Sequence, residues 1–244
     1  MVWGSFGIVH IVSLIAAAAM VAALYFLLKN RTRKVQTAVL GVLSFSGIAA
    51  IIYNLVAWGT PLLYLPLELC SLNALLLPVA VFTRSKTVCN LLLVWSLGAL
   101  AALVLNTEMA GAVLFDLPFC FYYFPHVMEF GIPILLFALG RVKKDPRCIL
   151  PTLGITMAAY TGIHFVNKFI NAAGIIDEAG NTVWVNYMFS IQPNNPLSDL
   201  FFKVIPYEYW YMYMIVPIVL VYLLIVYAPQ LKQMWQEKKN KANA

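Results

Sequence analysis

Phe6–Leu28 reads FGIVHIVSLIAAAAMVAALYFLL and runs directly into Lys29-Asn30-Arg31-Thr32-Arg33-Lys34. The apolar run is long enough for a helix across a hydrocarbon core, which takes about 20 residues. It is too long for the core of a signal peptide, and basic residues stand where a cleavage site of small residues would follow. The segment is therefore expected to stay in the protein as a membrane span. Lys and Arg gather on the cytoplasmic side of such spans, so this helix enters from outside.

Working outward, six more stretches are comparably apolar: Thr37–Trp58, Leu62–Phe82, Val88–Leu105, Phe119–Leu139, Ile149–Ile170 and Trp210–Tyr227. None alternates like a barrel strand, so all are read as helices. The composition agrees: 62% of the 244 residues are hydrophobic and 11% are charged, against roughly 25% charged in a soluble domain. That excludes a soluble enzyme, a disordered chain and a nucleic-acid binder. The net charge of +6 follows from topology. Lys29, Arg31, Arg33, Lys34, Arg84, Lys86, Arg141, Lys143, Lys144, Arg147, Lys232, Lys238, Lys239 and Lys241 all fall on the cytoplasmic side of a seven-span chain. Lys168 and Lys203 remain outside.

The expected fold is thus an all-α polytopic bundle of seven transmembrane helices in the cell membrane, N-terminus outside and C-terminus cytoplasmic. It divides into a transmembrane domain over residues 1–229 and a polar, fraying cytoplasmic tail over 230–244. The tight Gly59-Thr60-Pro61 connection makes spans two and three antiparallel neighbours. Met109–Leu114 is apolar enough to lie in the interface or dip back into the membrane. Gly180-Asn181 predicts a hairpin within Ile175–Val185, and Tyr207, Tyr209, Trp210 and Tyr211 an aromatic belt at headgroup level. No transporter-like repeat is present.

Ionisable groups inside spans are costly and point to function. At about 1.5 Å per helical residue, Glu68 and Cys70 lie roughly 9–12 Å below the outer boundary, His126 about 10 Å and Glu129 about 15 Å. His10 lies at about 6 Å and His164 at about 9 Å. Asn54, Asn167 and Lys168 also fall in the outer part, so one shared polar site in the outer leaflet is the economical reading. Lys168 is equally explained by snorkelling to the headgroups. Cys89, Cys120 and Cys148 read as packing residues. Cys70 differs, because Glu68, Ser71 and Asn73 crowd it and His126 shares its depth. An imidazole can take a thiol proton and make a nucleophile. His126 and Glu129 share a helix face, so the carboxylate can orient or charge the imidazole; the alternative is a pair that only ties helices together. Pro125 beside them widens the local backbone. A retinal-type protein is excluded by the lack of lysine in Trp210–Tyr227.

Leu65-Pro66-Leu67-Glu68-Leu69-Cys70-Ser71 resembles the Leu-Pro-Leu-His-Leu-Cys-Ser segment of the bacterial YwaF-like membrane proteins and their eukaryotic relatives, the transmembrane protein 164 family. Asn186-Tyr187-Met188-Phe189 with Pro193, Pro196 and Ser198-Asp199-Leu200, and more loosely Phe124-Pro125-His126, extend the likeness over essentially the whole chain. The resemblance implies an intramembrane acyltransferase or transacylase with Cys70 as nucleophile and His126 as base, acting on a membrane lipid or lysolipid and needing no cofactor. Glu68 stands where the family usually has histidine, which changes the local charge.

Glu68, Ser71, Asn73, Glu129, His10, His164, Asn167 and Asn54 are the supporting candidates, with Ser71 or Asn73 steadying an oxyanion. Two rivals use the same polar groups differently. A metal-dependent hydrolase would gather His10, Glu68, His126 and His164 around zinc. A proton-coupled transporter or lipid-binding protein would titrate Glu68 and Glu129.

Overall fold

The computed structural model describes residues 1–58, 60–105, 108–177 and 179–242. Gly59 of the tight connection and Asn106 at the start of an outer loop lie outside the described residues. Helix is the main regular structure, with two isolated antiparallel bridges and no strand among the described residues. The α-helices are α1 (Ile8–Leu28), α2 (Arg33–Ser44), α3 (Ser46–Ala57), α4 (Leu69–Thr83), α5 (Lys86–Leu105), α6 (Leu117–Ala138), α7 (Ile149–Ala172), α8 (Pro196–Val204) and α9 (Ile215–Ala242).

Among the described residues, six segments are long and apolar enough to cross a membrane: α1, the α2–α3 pair over 33–57, α5, α6, α7 with its preceding turn, and α9 with its preceding turn. The expected second span is thus two helices, offset at Phe45, whose N–H bonds the Leu43 and Val42 carbonyls.

The expected third span, Leu62–Phe82, is not one helix. A single 3-10 turn covers Pro61–Leu63, and α4 begins only at Leu69 and has 15 residues. Pro66 is the physical cause, since its ring removes a backbone donor and biases Leu65 away from helix. Leu67 N–H turns back to the Leu65 carbonyl at 2.7 Å, and Glu68 is extended, with ψ 154°. At about 1.5 Å per residue α4 is about 22 Å long, short of the ~30 Å hydrocarbon core. At the other end of the chain, α9 continues through Tyr227 and Pro229 to Ala242. The residues expected to fray are therefore helical through Ala242.

Helix α6 is the axis of the bundle. It packs against α1, α3, α4 and α5, and with α5 is the most buried of the long helices, whereas α1 and α7 expose most of their surface. Gly131 lets α1 approach this axis, since a Cβ there would meet Val21 Cγ2 at 2.5 Å. At one end of the bundle the basic connections meet. Arg33 donates to the Gly140 carbonyl at 3.0 Å, and Arg141 donates to Arg33 O at 2.8 Å and Thr37 Oγ1 at 2.6 Å. Nearby, Lys86 faces Asp145 at 3.9 Å and Lys144 donates to Val226 O at 3.1 Å.

At the opposite end, Met109–Leu114 forms no helix, and Met109, Ala112 and Leu114 pack against the core. The segment pairs with the N-terminus through a Val2–Val113 bridge, with Trp3 N–H on Ala112 O and Gly4 N–H on Ala110 O. The expected hairpin is present as an Ile176–Thr182 bridge, with Gly180 at φ +84° making the turn.

Candidate functional site

The break before α4 sets the position of Cys70. Glu68 is the N-cap, so Cys70 is the second residue of the helix rather than a residue one third of the way down a span. The first intrahelical bond runs from Leu72 N–H to Glu68 O at 2.9 Å, and no side chain caps this end. The N–H groups of Leu69, Cys70 and Ser71 precede that bond, and the positive end of the helix dipole falls on the thiol.

Helix α6 brings the other two groups. Cys70 Sγ, a ring nitrogen of His126 and a carboxylate oxygen of Glu129 all lie within 4.8 Å of one another. His126 and Glu129 are three residues apart and project from the same side of α6, and both are buried. Pro125 lacks the N–H that would bond Phe121 O. One position on, His126 Nδ1 meets the Tyr122 carbonyl at 2.6 Å, and the His126 and Tyr122 rings lie tilted by 34° with their centroids 4.3 Å apart. A carbonyl only accepts, so Nδ1 carries the hydrogen and Nε2 keeps its lone pair. The imidazole is held in the tautomer of a base.

Glu129 is 3% exposed, and its Oε2 has no hydrogen-bond partner; neither has the buried Oδ1 of Asn73. Asn73 donates through Nδ2 to the Glu129 carbonyl at 3.1 Å, locking α4 to α6. Helix α3 closes the third side. A Cβ on Gly47 would stand 2.5 Å from Ala74 Cβ and 2.8 Å from Glu129 Oε1. Gly47→Val should force α3 off the site and lower the thermal unfolding midpoint, at an overpacking cost of about 1–3 kcal/mol. An unchanged midpoint and unchanged Cys70 reactivity toward a water-soluble thiol reagent would show that α3 does not confine Glu129.

A non-helical segment covers the N-terminal end of α4. Asn167 on α7 donates to Tyr187 O at 2.8 Å and accepts from Tyr187 N–H at 3.0 Å, while one turn on Asn171 brackets Val185 in the same way at 2.9 and 2.8 Å. Tyr187 OH reaches Leu62 O and Tyr211 OH reaches Phe189 O. Met188 and Phe189 are left-handed, with φ 53° and 52°. That turn aims Met188 N–H at Glu68 Oε2, at 2.9 Å. A cavity of about 190 Å³ lies behind this contact, lined by Glu68, Glu108, Trp184, Asn186, Tyr187 and Gln192 among others. Glu108 was not among the residues expected from sequence, because it follows the apolar run Lys86–Leu105 in an outer loop and only the fold carries that loop to Glu68.

The remaining candidates do not join the cluster. His10 accepts from Phe6 N–H through Nδ1 at 2.9 Å, so its Nε2 carries the proton and donates to Leu103 O at 2.7 Å. His164 pairs with Ser190 Oγ at 3.1 Å, and Glu68 is committed to Met188. The set His10, Glu68, His126 and His164 is therefore not gathered around a metal position; each member satisfies a separate partner. Ser71 is half-buried in the first turn of α4, and Asn54 gives its carbonyl to Trp58 N–H at 3.3 Å. Lys168 does more than reach the surface, ion-pairing with Glu208 at 2.8 Å. Cys120 is exposed in a separate apolar groove of about 880 Å³ between α1, α3 and α6. At 100° per residue it projects opposite to Glu129, so α6 separates groove from cluster.

The family model described as the TMEM164 family matches residues 5–227. A search of the curated proteins and a search of the solved structures each returned no match.

Proposed function

The chain belongs to the TMEM164 family, and from that premise we propose that it is an intramembrane lipid acyltransferase with Cys70 as nucleophile and His126 as general base. The observation that supports this reading is the thiol–imidazole–carboxylate cluster at the start of α4, with every donor atom within 4.8 Å of the others. His126 Nε2 takes the Cys70 proton, and the thiolate attacks the ester carbonyl carbon of a phospholipid. The ester C–O bond breaks, the departing lysolipid oxygen takes the proton from His126, and a thioester remains on Cys70. An acceptor lysolipid hydroxyl, deprotonated by the same nitrogen, attacks the thioester and expels the thiolate. Glu129 stabilises the imidazolium present in both halves of the cycle. The N–H groups of Leu69–Ser71 take the oxyanion. This is the role that sequence gave to Ser71 or Asn73; the Asn73 amide is already engaged with the Glu129 carbonyl.

A topology goes with this reading: seven passes in the cell membrane, N-terminus outside and C-terminus cytoplasmic. In it α4 makes the third pass, with the non-helical Leu62–Glu68 stretch supplying the remaining depth. Irregular backbone is tolerated at that depth where it packs half-buried against the protein and lines a polar cavity. The inside then receives the Arg33, Arg141 and Lys144 end of the bundle, and the catalytic cluster belongs to the outer leaflet.

A lipid-like thiol-reactive probe tests the nucleophile. It should label the wild-type protein and Cys120→Ala, and lose most labelling in Cys70→Ser. Equal labelling of Cys70→Ser rejects the nucleophile and leaves a lipid-binding or proton-coupled carrier as the better account.

A further inference from the structure

We infer that Cys70, His126 and Glu129 also form a binding site for Zn²⁺. A sulfur, an imidazole nitrogen and a carboxylate oxygen make the mixed donor set that zinc prefers, and one that the harder Mg²⁺ and Ca²⁺ do not. Donor atoms around a tetrahedral zinc stand roughly 3.5 Å apart, given bonds of about 2.0–2.3 Å. The present separations, all within 4.8 Å, close to that by side-chain rotation. The unpartnered Glu129 Oε2, on a residue 3% exposed, is the group that most needs a cation or a donor at this point. His126 is already oriented for it, because Nδ1 on Tyr122 O is the backbone-carbonyl support commonly found behind zinc-bound histidines.

Charge favours the same ion. Binding releases the proton of the Cys70 thiol and any proton held by the Glu129 carboxyl, and the thiolate and the carboxylate then cancel both charges of Zn²⁺. A neutral cluster suits a site enclosed by apolar helices, where an uncompensated charge is costly. His10 and His164 do not compete, since their ring nitrogens face Phe6, Leu103 and Ser190. The ion-binding claim stands on the donor geometry alone. Its consequence, that Zn²⁺ silences the enzyme by occupying the nucleophile, rests on the acyl-transfer reading.

The test uses the full chain purified in detergent micelles and titrated with Zn²⁺, and separately with Co²⁺ as a spectroscopic substitute. One Zn²⁺ per chain is expected, with thiolate-to-cobalt charge-transfer absorption in the wild-type protein. Cys70→Ser, His126→Ala and Glu129→Gln should each weaken binding by about tenfold or more, while Cys120→Ala and Glu68→Gln leave it unchanged. Gel filtration and helical content verify that each variant is folded, and the cobalt spectrum of the wild type requires no variant. Absence of the charge-transfer band, or Zn²⁺ binding equal in all three variants, overturns the site. A bound ion that fails to slow labelling of Cys70 by the lipid-like probe overturns the silencing. Stoichiometric zinc binding by a protein whose zinc-free form shows no acyl exchange upholds the site and removes only the enzymatic reading.

Discussion

Cys70→Ala and His126→Ala should each reduce lipid acyl exchange to background in proteoliposomes containing a labelled phospholipid and a lysolipid acceptor. The two losses have different origins. Removing the thiol removes the covalent intermediate, so no residual transfer through this route is expected. Removing the imidazole leaves a thiol that must ionise without a base, a loss of about 10²–10⁴-fold. The double variant should be no worse than Cys70→Ala alone, because groups that act as a unit are not additive. The hydrogen bond of His126 to Tyr122 O and its contact with the Tyr122 ring both lie within its own helix, so the fold should survive its truncation. Helical content and gel-filtration behaviour matching the wild type would verify this. Exchange in Cys70→Ala at the wild-type rate would end the acyl-transfer mechanism.

The second large effect belongs to Asn167. Its side chain is fully buried and satisfies both the N–H and the carbonyl of Tyr187 while also donating to Ser190 Oγ at 2.9 Å. Asn167→Ala leaves the Tyr187 N–H without a partner and its carbonyl with only the long bond from Ser190 N–H at 3.4 Å. An unsatisfied buried N–H costs about 1–3 kcal/mol, enough together with the weakened carbonyl to release the 185–190 segment rather than tolerate it. Release takes Met188 N–H away from Glu68 and opens the outer approach to Cys70. Limited proteolysis should then cut between residues 174 and 195 faster than in the wild type, and the unfolding midpoint should fall. Asn171→Ala removes the equivalent pair on Val185 from a half-buried position and should give the smaller change. Cleavage of Asn167→Ala at the wild-type rate would show that Asn167 does not hold the segment down.

Both experiments turn on Glu68, the position at which the chain departs from the family segment. Read along the sequence, this carboxylate is an unpaired charge inside a span, and it invites assignment to a metal or to proton transfer. In the structure it lies ahead of α4 and takes a backbone N–H from the outer segment. An acceptor suffices for that contact.

The sequence alone determined the class of the molecule, because apolar runs of about 20 residues in a chain with few charges have no stable alternative to membrane helices. It grouped the basic residues on one side of the spans, and it marked Cys70, His126 and Glu129, together with Glu68, His10 and His164, as polar groups placed where burial penalises them. Which polar groups meet was decided only by tertiary structure. Depth along a helix axis says nothing about rotation about that axis, so His10, His164 and Glu68 shared a depth with the cluster yet found separate partners. The start of α4 was equally out of reach. Pro66 sits in an otherwise apolar run and is compatible with a kinked span or with none, and the Tyr187–Leu62 and Met188–Glu68 contacts, more than a hundred residues apart in sequence, hold the non-helical choice. That choice places Cys70 at a helix N-terminus, and no periodicity in the chain records it.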